Sequence, residues 1–217
     1  MQRRHFTLST LAGLLGLAAL AGCERKAETS PAAPAAAEAP SAPPAPASAA
    51  PAAPAASQAP AAAASNAYTL AATGHGFSIG PMMSAHTVYV FFDPACPHCA
   101  HLWANVQPLA KQLKIVWIPV GFLRPQSTPQ GATILAAAEP AAAMAENEAS
   151  VSQRGPGIAV GKPDEATLAQ VKANTTLLQR LNADSVPLIV YRNGKTGEVG
   201  QQAGALEAAE LLRLVGL

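Results

Sequence analysis

The chain has 217 residues, of which 50% are hydrophobic and only 12% charged, with a formal net charge of +1. It holds no basic block and no basic patch interleaved with aromatics, which argues against nucleic acid as a partner. Three cysteines, at positions 23, 96 and 99, are too few for a disulfide framework.

Residues 1–23 read as a targeting segment. Arg3 and Arg4 give a basic start, and an apolar stretch follows from about Leu8 to Ala21. That stretch falls short of the roughly 20 residues a membrane-spanning helix needs. Leu20-Ala21-Gly22-Cys23 resembles a bacterial lipobox, which implies lipidation of Cys23 and export; an uncleaved anchor with a chance cysteine is the alternative. Gln2-Arg3-Arg4-His5-Phe6 also resembles a twin-arginine signal, so the export route stays open.

From Ala27 to Ser65 the chain is almost entirely alanine, proline and serine, with Glu28 and Glu38 its only charges. Such a composition cannot build a core, and the recurring prolines forbid a long helix. Residues 24–65 are therefore expected to be a disordered, semi-rigid tether. At about 3.1 Å per residue it reaches on the order of 100 Å, well clear of a membrane surface.

Residues 66–217 are one domain's worth of chain, with ten basic and ten acidic residues. Gly76–Gly80 suggests a short edge strand, and His86–Phe92, β-branched and aromatic, the central one. A turn, Asp93-Pro94-Ala95, leads to Cys96-Pro97-His98-Cys99. Ala100, Leu102, Trp103, Val106 and Leu109 then recur at helical spacing, until Pro108 kinks or ends the helix. Lys114–Val120 is the next strand, parallel to the central one because a helix separates them. An alanine-rich helix is expected over Gln130–Glu148, interrupted near Pro140, then a loop at Arg154-Gly155-Pro156-Gly157. Asp164 precedes a second helix ending near Leu181, with Leu168, Val171, Leu178 and Leu181 as its stripe. Pro187–Tyr191 is a strand, Arg192-Asn193-Gly194-Lys195 a hairpin signal, Gly197–Gln202 the returning strand and Leu206–Val215 a final helix. The class is α/β. Strand–helix–strand, a helical insertion over about 126–182, then hairpin and helix is the order of a thioredoxin-like fold.

The chemistry sits at the strand-to-helix turn. Two sulfurs three residues apart on one helical turn share a face and can close a small disulfide ring. Pro97 suits the first turn, where its missing N–H has no intrahelical partner. Cys96 falls where unpaired N–H groups and the helix dipole favour an anion, so its thiolate is expected to be stabilised. Cys99, one turn deeper, is the resolving thiol, and His98 can add positive charge or a donated hydrogen bond. This outlines a thiol–disulfide oxidoreductase without a cofactor. Asp93 either relays protons for the pair or caps backbone N–H groups in the turn.

From about Gly74 onward, roughly two-thirds of the chain, the sequence resembles the periplasmic disulfide isomerase family of DsbC and DsbG, the DsbG type most. The resemblance is carried by Thr87-Val88-Tyr89-Val90-Phe91-Phe92-Asp93-Pro94-x-Cys96-Pro97-x-Cys99, by Val120-Gly121-Phe122-Leu123-Arg124-Pro125-Gln126-Ser127 and by Val186-Pro187. It implies a redox-active Cys96–Cys99 disulfide and a cis Pro187 facing Cys96, with Val186 backbone groups presented to an extended substrate. On residues alone, Pro187 would be an ordinary trans proline at the start of an edge strand. The resemblance also implies exported cysteine-containing proteins as substrates, a membrane redox partner and a periplasmic, lipid-anchored location.

Three features depart from that family. The tether stands where the isomerases carry a dimerisation domain, which favours a monomer. Pro97-His98 is the dipeptide of DsbA-type oxidases, and Val186 also resembles DsbA, where the isomerases carry threonine. Together they point to the oxidase direction, with a reductase or isomerase kept reduced by a membrane donor as the alternative. A copper or zinc chaperone using the same thiols is a further alternative, drawing on His101, His86, Met82 or Met83. A zinc site wants four ligands and the chain has no second cysteine pair, so no metal is assigned. Trp103 is expected in the core, and Arg124 lines the substrate groove or is simply an exposed loop residue.

Overall fold

The structure is a computed structural model that describes residues 66–217. Cys23, the targeting segment and the tether lie outside the described residues. The elements are α1 (66–71), β1 (Phe77–Ile79), β2 (Thr87–Phe92), α2 (Pro97–Val106), β3 (Lys114–Pro119), α3 (Ser127–Ala136), α4 (Pro140–Ser152), α5 (Glu165–Arg180), β4 (Leu188–Arg192), β5 (Val199–Ala203) and α6 (Ala208–Val215).

The five strands form one sheet in the order β1-β3-β2-β4-β5. β2 and β3 run parallel, as a helical crossover requires, with Val90 opposite Trp117. β4 lies antiparallel on the other side of β2, and β1 and β5 form the antiparallel edges. Val90, Phe91 and Phe92 of β2 are all buried, as are Ile115, Trp117 and Ile118 of β3. Consecutive buried residues mean that both faces of the central strands are covered, which is why they read as unbroken apolar runs. Trp103 of α2 stacks edge-on against Trp117, and Phe92 meets Trp117 the same way, so Trp103 is a core residue.

Pro108 ends α2, and the chain tightens into a 3-10 turn over Gln107–Lys111. The alanine-rich run is interrupted where expected, giving α3 and α4 with Pro140 in the first turn of α4. Asp164 caps α5 by accepting from the Thr167 N–H at 2.7 Å. Asn174, buried on α5, bonds the backbone of His75 in both directions and donates to the Pro119 carbonyl, tying the insertion to the end of β3.

β4 and β5 form the expected antiparallel hairpin. β4 and β5 are joined by six residues, 193–198, not by a tight Asn-Gly turn. The Asn193 side chain accepts from the Lys195 and Thr196 N–H groups, and Gly197 takes the left-handed position at φ 74°. Gly194 serves close approach instead: a Cβ there would lie 2.3 Å from the His86 ring.

Candidate active site

Parallel β2 ends at Phe92, and the chain must turn sharply to start α2 back along the sheet. Asp93 organises that turn. It is fully buried, and its two carboxylate oxygens accept from the Ala95 N–H (2.8 Å), the Ser127 hydroxyl (2.6 Å), the Phe122 N–H (2.8 Å) and the Leu123 N–H (2.7 Å). Four donors leave no free lone pair for a proton relay. Of the two roles open to Asp93, the cap is the one its contacts fit, and it reaches further than its own turn. It latches the active-site turn to the loop after β3, so the segment carrying Phe122, Leu123 and Arg124 is held beside the cysteines.

Cys96 is the N-cap of α2, with extended backbone (φ −94°, ψ 114°), and Pro97 occupies the first turn. Both cysteines are buried thiols, Cys96 3% exposed and Cys99 not at all. The Cys96 thiol is lowered from 9.0 to about 6. The largest cause is the hydrogen bond from the Cys99 thiol; the backbone N–H groups of Cys99 and His98 add to it, against the opposing cost of burial. The His98 imidazole adds the smallest electrostatic contribution of those acting. Cys99 moves the other way, well above its ordinary value, because it is buried and faces a thiolate.

Across from this pair, the Val186–Pro187 peptide is cis. The Val186 carbonyl lies 3.5 Å from Cys96 Sγ. Proline offers no N–H here, so of this peptide's two residues only Val186 has a backbone donor.

The sequence reading missed one group. Glu148 of α4 is 3% exposed, and its Oε2 has no hydrogen-bond partner. Its Oε1 accepts from Asn147 Nδ2 at 3.1 Å, the same nitrogen that donates to the Pro94 carbonyl at 2.9 Å in the active-site turn. Burial, with smaller contributions from the Cys96 thiolate and the Asp93 carboxylate, raises the Glu148 carboxyl from 4.5 to about 8 against the Asn147 hydrogen bond. A signal was available: Met144, Asn147, Glu148 and Val151 fall on one helical stripe, and all four are buried.

The candidate metal ligands are not brought to the thiols. His101 lies 3.7 Å from Glu207 with both side chains exposed, and His86 sits against Gly194. Met82 and Met83 are exposed near β1. Among the described residues no three His, Cys, Asp or Glu side chains gather as a metal site. None of the described helices is long and apolar enough to cross a membrane.

A dithiol at the start of the helix that follows a central parallel strand, facing a cis-proline loop, defines a thioredoxin-type protein. The chain belongs to the thioredoxin-like domain family, which matches residues 83–216. It is 31% identical over 133 residues to the thiol:disulfide interchange proteins DsbG of Pseudomonas aeruginosa and Escherichia coli, a stretch that is 59% of this chain. The chain spans about half the length of these curated relatives, 50% and 51% respectively. Among solved structures, a linker-deletion variant of Proteus mirabilis ScsC superimposes with a TM-score of 0.58 at 17% identity, covering 73% of this chain and 83% of that one. A periplasmic thioredoxin-like protein from Salmonella enterica gives 0.54 at 16% identity, covering 69% and 94%. These neighbours share the fold.

Proposed function

We propose that the chain is a thiol:disulfide oxidoreductase that exchanges disulfides with exported cysteine-containing proteins, running in the oxidase direction. The observation that carries this reading is the paired perturbation of the thiols: Cys96 lowered to about 6, Cys99 raised and fully buried. A stabilised Cys96 thiolate favours the dithiol form, which makes the corresponding disulfide a strong oxidant.

In this mechanism a substrate thiolate attacks Cys96 Sγ of the disulfide, forming a mixed disulfide and expelling Cys99 as a thiolate. Cys99 holds its proton tightly, so it must take one up as it leaves. Glu148, largely protonated at pH 7, is the donor. A second substrate thiolate then attacks the substrate sulfur and releases Cys96 as a thiolate. The substrate has lost two electrons and the enzyme has gained them. A membrane partner would reoxidise the dithiol. The Val186 backbone and Pro187 hold the substrate strand during exchange.

The test is the redox equilibrium of the Cys96–Cys99 pair against glutathione. The expected potential lies toward the roughly −120 mV of a strong oxidant; a value toward roughly −270 mV would make the protein a reductase.

Lipidation of Cys23 and a periplasmic location belong to the same reading, resting on the lipobox resemblance and on relatives that are interchange proteins. A monomer belongs to the same reading, resting on the Ala/Pro composition of residues 24–65. In a bacterial host the full chain is expected in the membrane fraction, and Cys23→Ser is expected to release it; unchanged partitioning would remove the anchor.

A further inference from the structure

Beside the dithiol lies a positively charged groove that the exchange chemistry does not use. One cleft, of about 340 Å³, is lined by Ala95, Pro97, Arg124, Arg154 and Pro156 among others. A second, of about 420 Å³, shares Ala95, Arg124 and Pro156 and runs on toward Ile158. Ala95 and Pro97 flank Cys96 in sequence, so the groove opens beside the active-site turn. No carboxylate lines either cleft. Arg124 and Arg154 are both exposed, and the one ion pair among the described residues is His101 with Glu207. Neither guanidinium group pairs with a carboxylate among the described residues.

Arg154 occupies a costly position. It has φ 63°, in the left-handed region, where it follows the end of α4 and its N–H donates to the Val151 carbonyl. Glycine would fit there with less strain. Gly155, the next residue, is kept: a Cβ on it would lie 2.4 Å from Ser150 Oγ. On the far wall, Gln130 Nε2 donates to the Pro156 and Ile158 carbonyls at 2.8 and 2.9 Å, so the loop behind Arg154 is fixed. Arg124 is held by the Asp93 latch on its two preceding residues.

We infer that this groove selects substrate polypeptides carrying acidic residues beside the cysteine to be exchanged, with Arg124 and Arg154 receiving the carboxylates. An extended strand advances about 3.4 Å per residue, so a carboxylate within about three residues of the attacked cysteine reaches the groove. Guanidinium is the group best shaped to receive it, through two parallel N–H bonds. The inference rests on the oxidoreductase reading above.

Its test uses the oxidised full chain and three synthetic peptides, each with one cysteine flanked by Glu, Gln or Lys. Exchange with dithiothreitol, which is neutral, reports the dithiol chemistry itself; if that fails, the proposed function falls. The second-order rate is expected to be about tenfold higher for the Glu peptide than for the Lys peptide at low ionic strength, and the ratio should shrink with added salt. In an Arg124→Gln/Arg154→Gln double variant the ratio should fall to about one, whereas Lys172→Gln/Arg180→Gln, which removes equal charge outside the groove, should keep it. Equal rates for the peptides, or a preference that survives the groove variant, would overturn the inference while leaving dithiothreitol exchange intact.

Discussion

Cys99→Ala is expected to arrest exchange at the mixed disulfide, with turnover reduced on the order of 10³-fold or more, as when one member of a pair acting as a unit is lost. Without Cys99 the Cys96 sulfur can still be linked to a substrate thiol but has no resolving thiol beside it. Mass spectrometry should therefore find covalent adducts on Cys99→Ala and none on Cys96→Ala. The same variant tests the electrostatics. Its hydrogen bond is the largest cause lowering Cys96 to about 6, so thiolate absorbance should titrate at clearly higher pH once Cys99 is gone. A midpoint unchanged near 6 would transfer the effect to the helix N-terminus and His98.

Glu148→Gln carries the second large effect, and it acts on rate and stability. Loss of a positioned proton donor costs about 10²-fold, at the low end for general acid–base catalysis, on the step that expels Cys99. The pH–rate profile of that step should also lose its inflection near 8. For stability the sign follows from the raised value. A carboxyl held at about 8 in the fold, against 4.5 ordinarily, contributes stability that is complete below 4.5 and lost as pH rises through 8. In the oxidised protein the Cys96 thiolate that helps raise Glu148 is gone but burial, the largest cause, remains, so stability should still fall as pH rises, by at most roughly 2–4 kcal/mol. Glu148→Gln, uncharged throughout, should be nearly flat in chemical denaturation across the same range. In the reduced protein Cys96 runs the other way: its lowered value contributes stability present above 9 and lost as pH falls through about 6. A flat oxidised wild type would show that Glu148 is not held protonated by the fold.

The sequence by itself determined the elements and placed the two thiols proposed to react. β-Branched and aromatic runs specified β2 and β3, the spacing of Leu102, Trp103 and Val106 specified the buried face of α2, and Pro97 placed Cys96 at its start. These are local preferences, so they survive without knowledge of the rest of the chain. Where local signals were ambiguous, tertiary contacts decided. Asn193-Gly194 is a common tight-turn pair, yet here the glycine is needed for His86 and the asparagine for a longer loop. Asp93 could have served protons or backbone; four donors, three of them from the segment after β3, made it a latch. Glu148 lies 49 positions from Cys99, and only the packing of α4 on α2 makes a helix carboxylate part of the dithiol site. Sequence neighbours Cys99 and His98 lower the Cys96 thiol, but burial and charge coupling set the acidities of Cys99 and Glu148. Those depend on which groups share a low-dielectric volume, a property of the folded chain that no local spacing encodes.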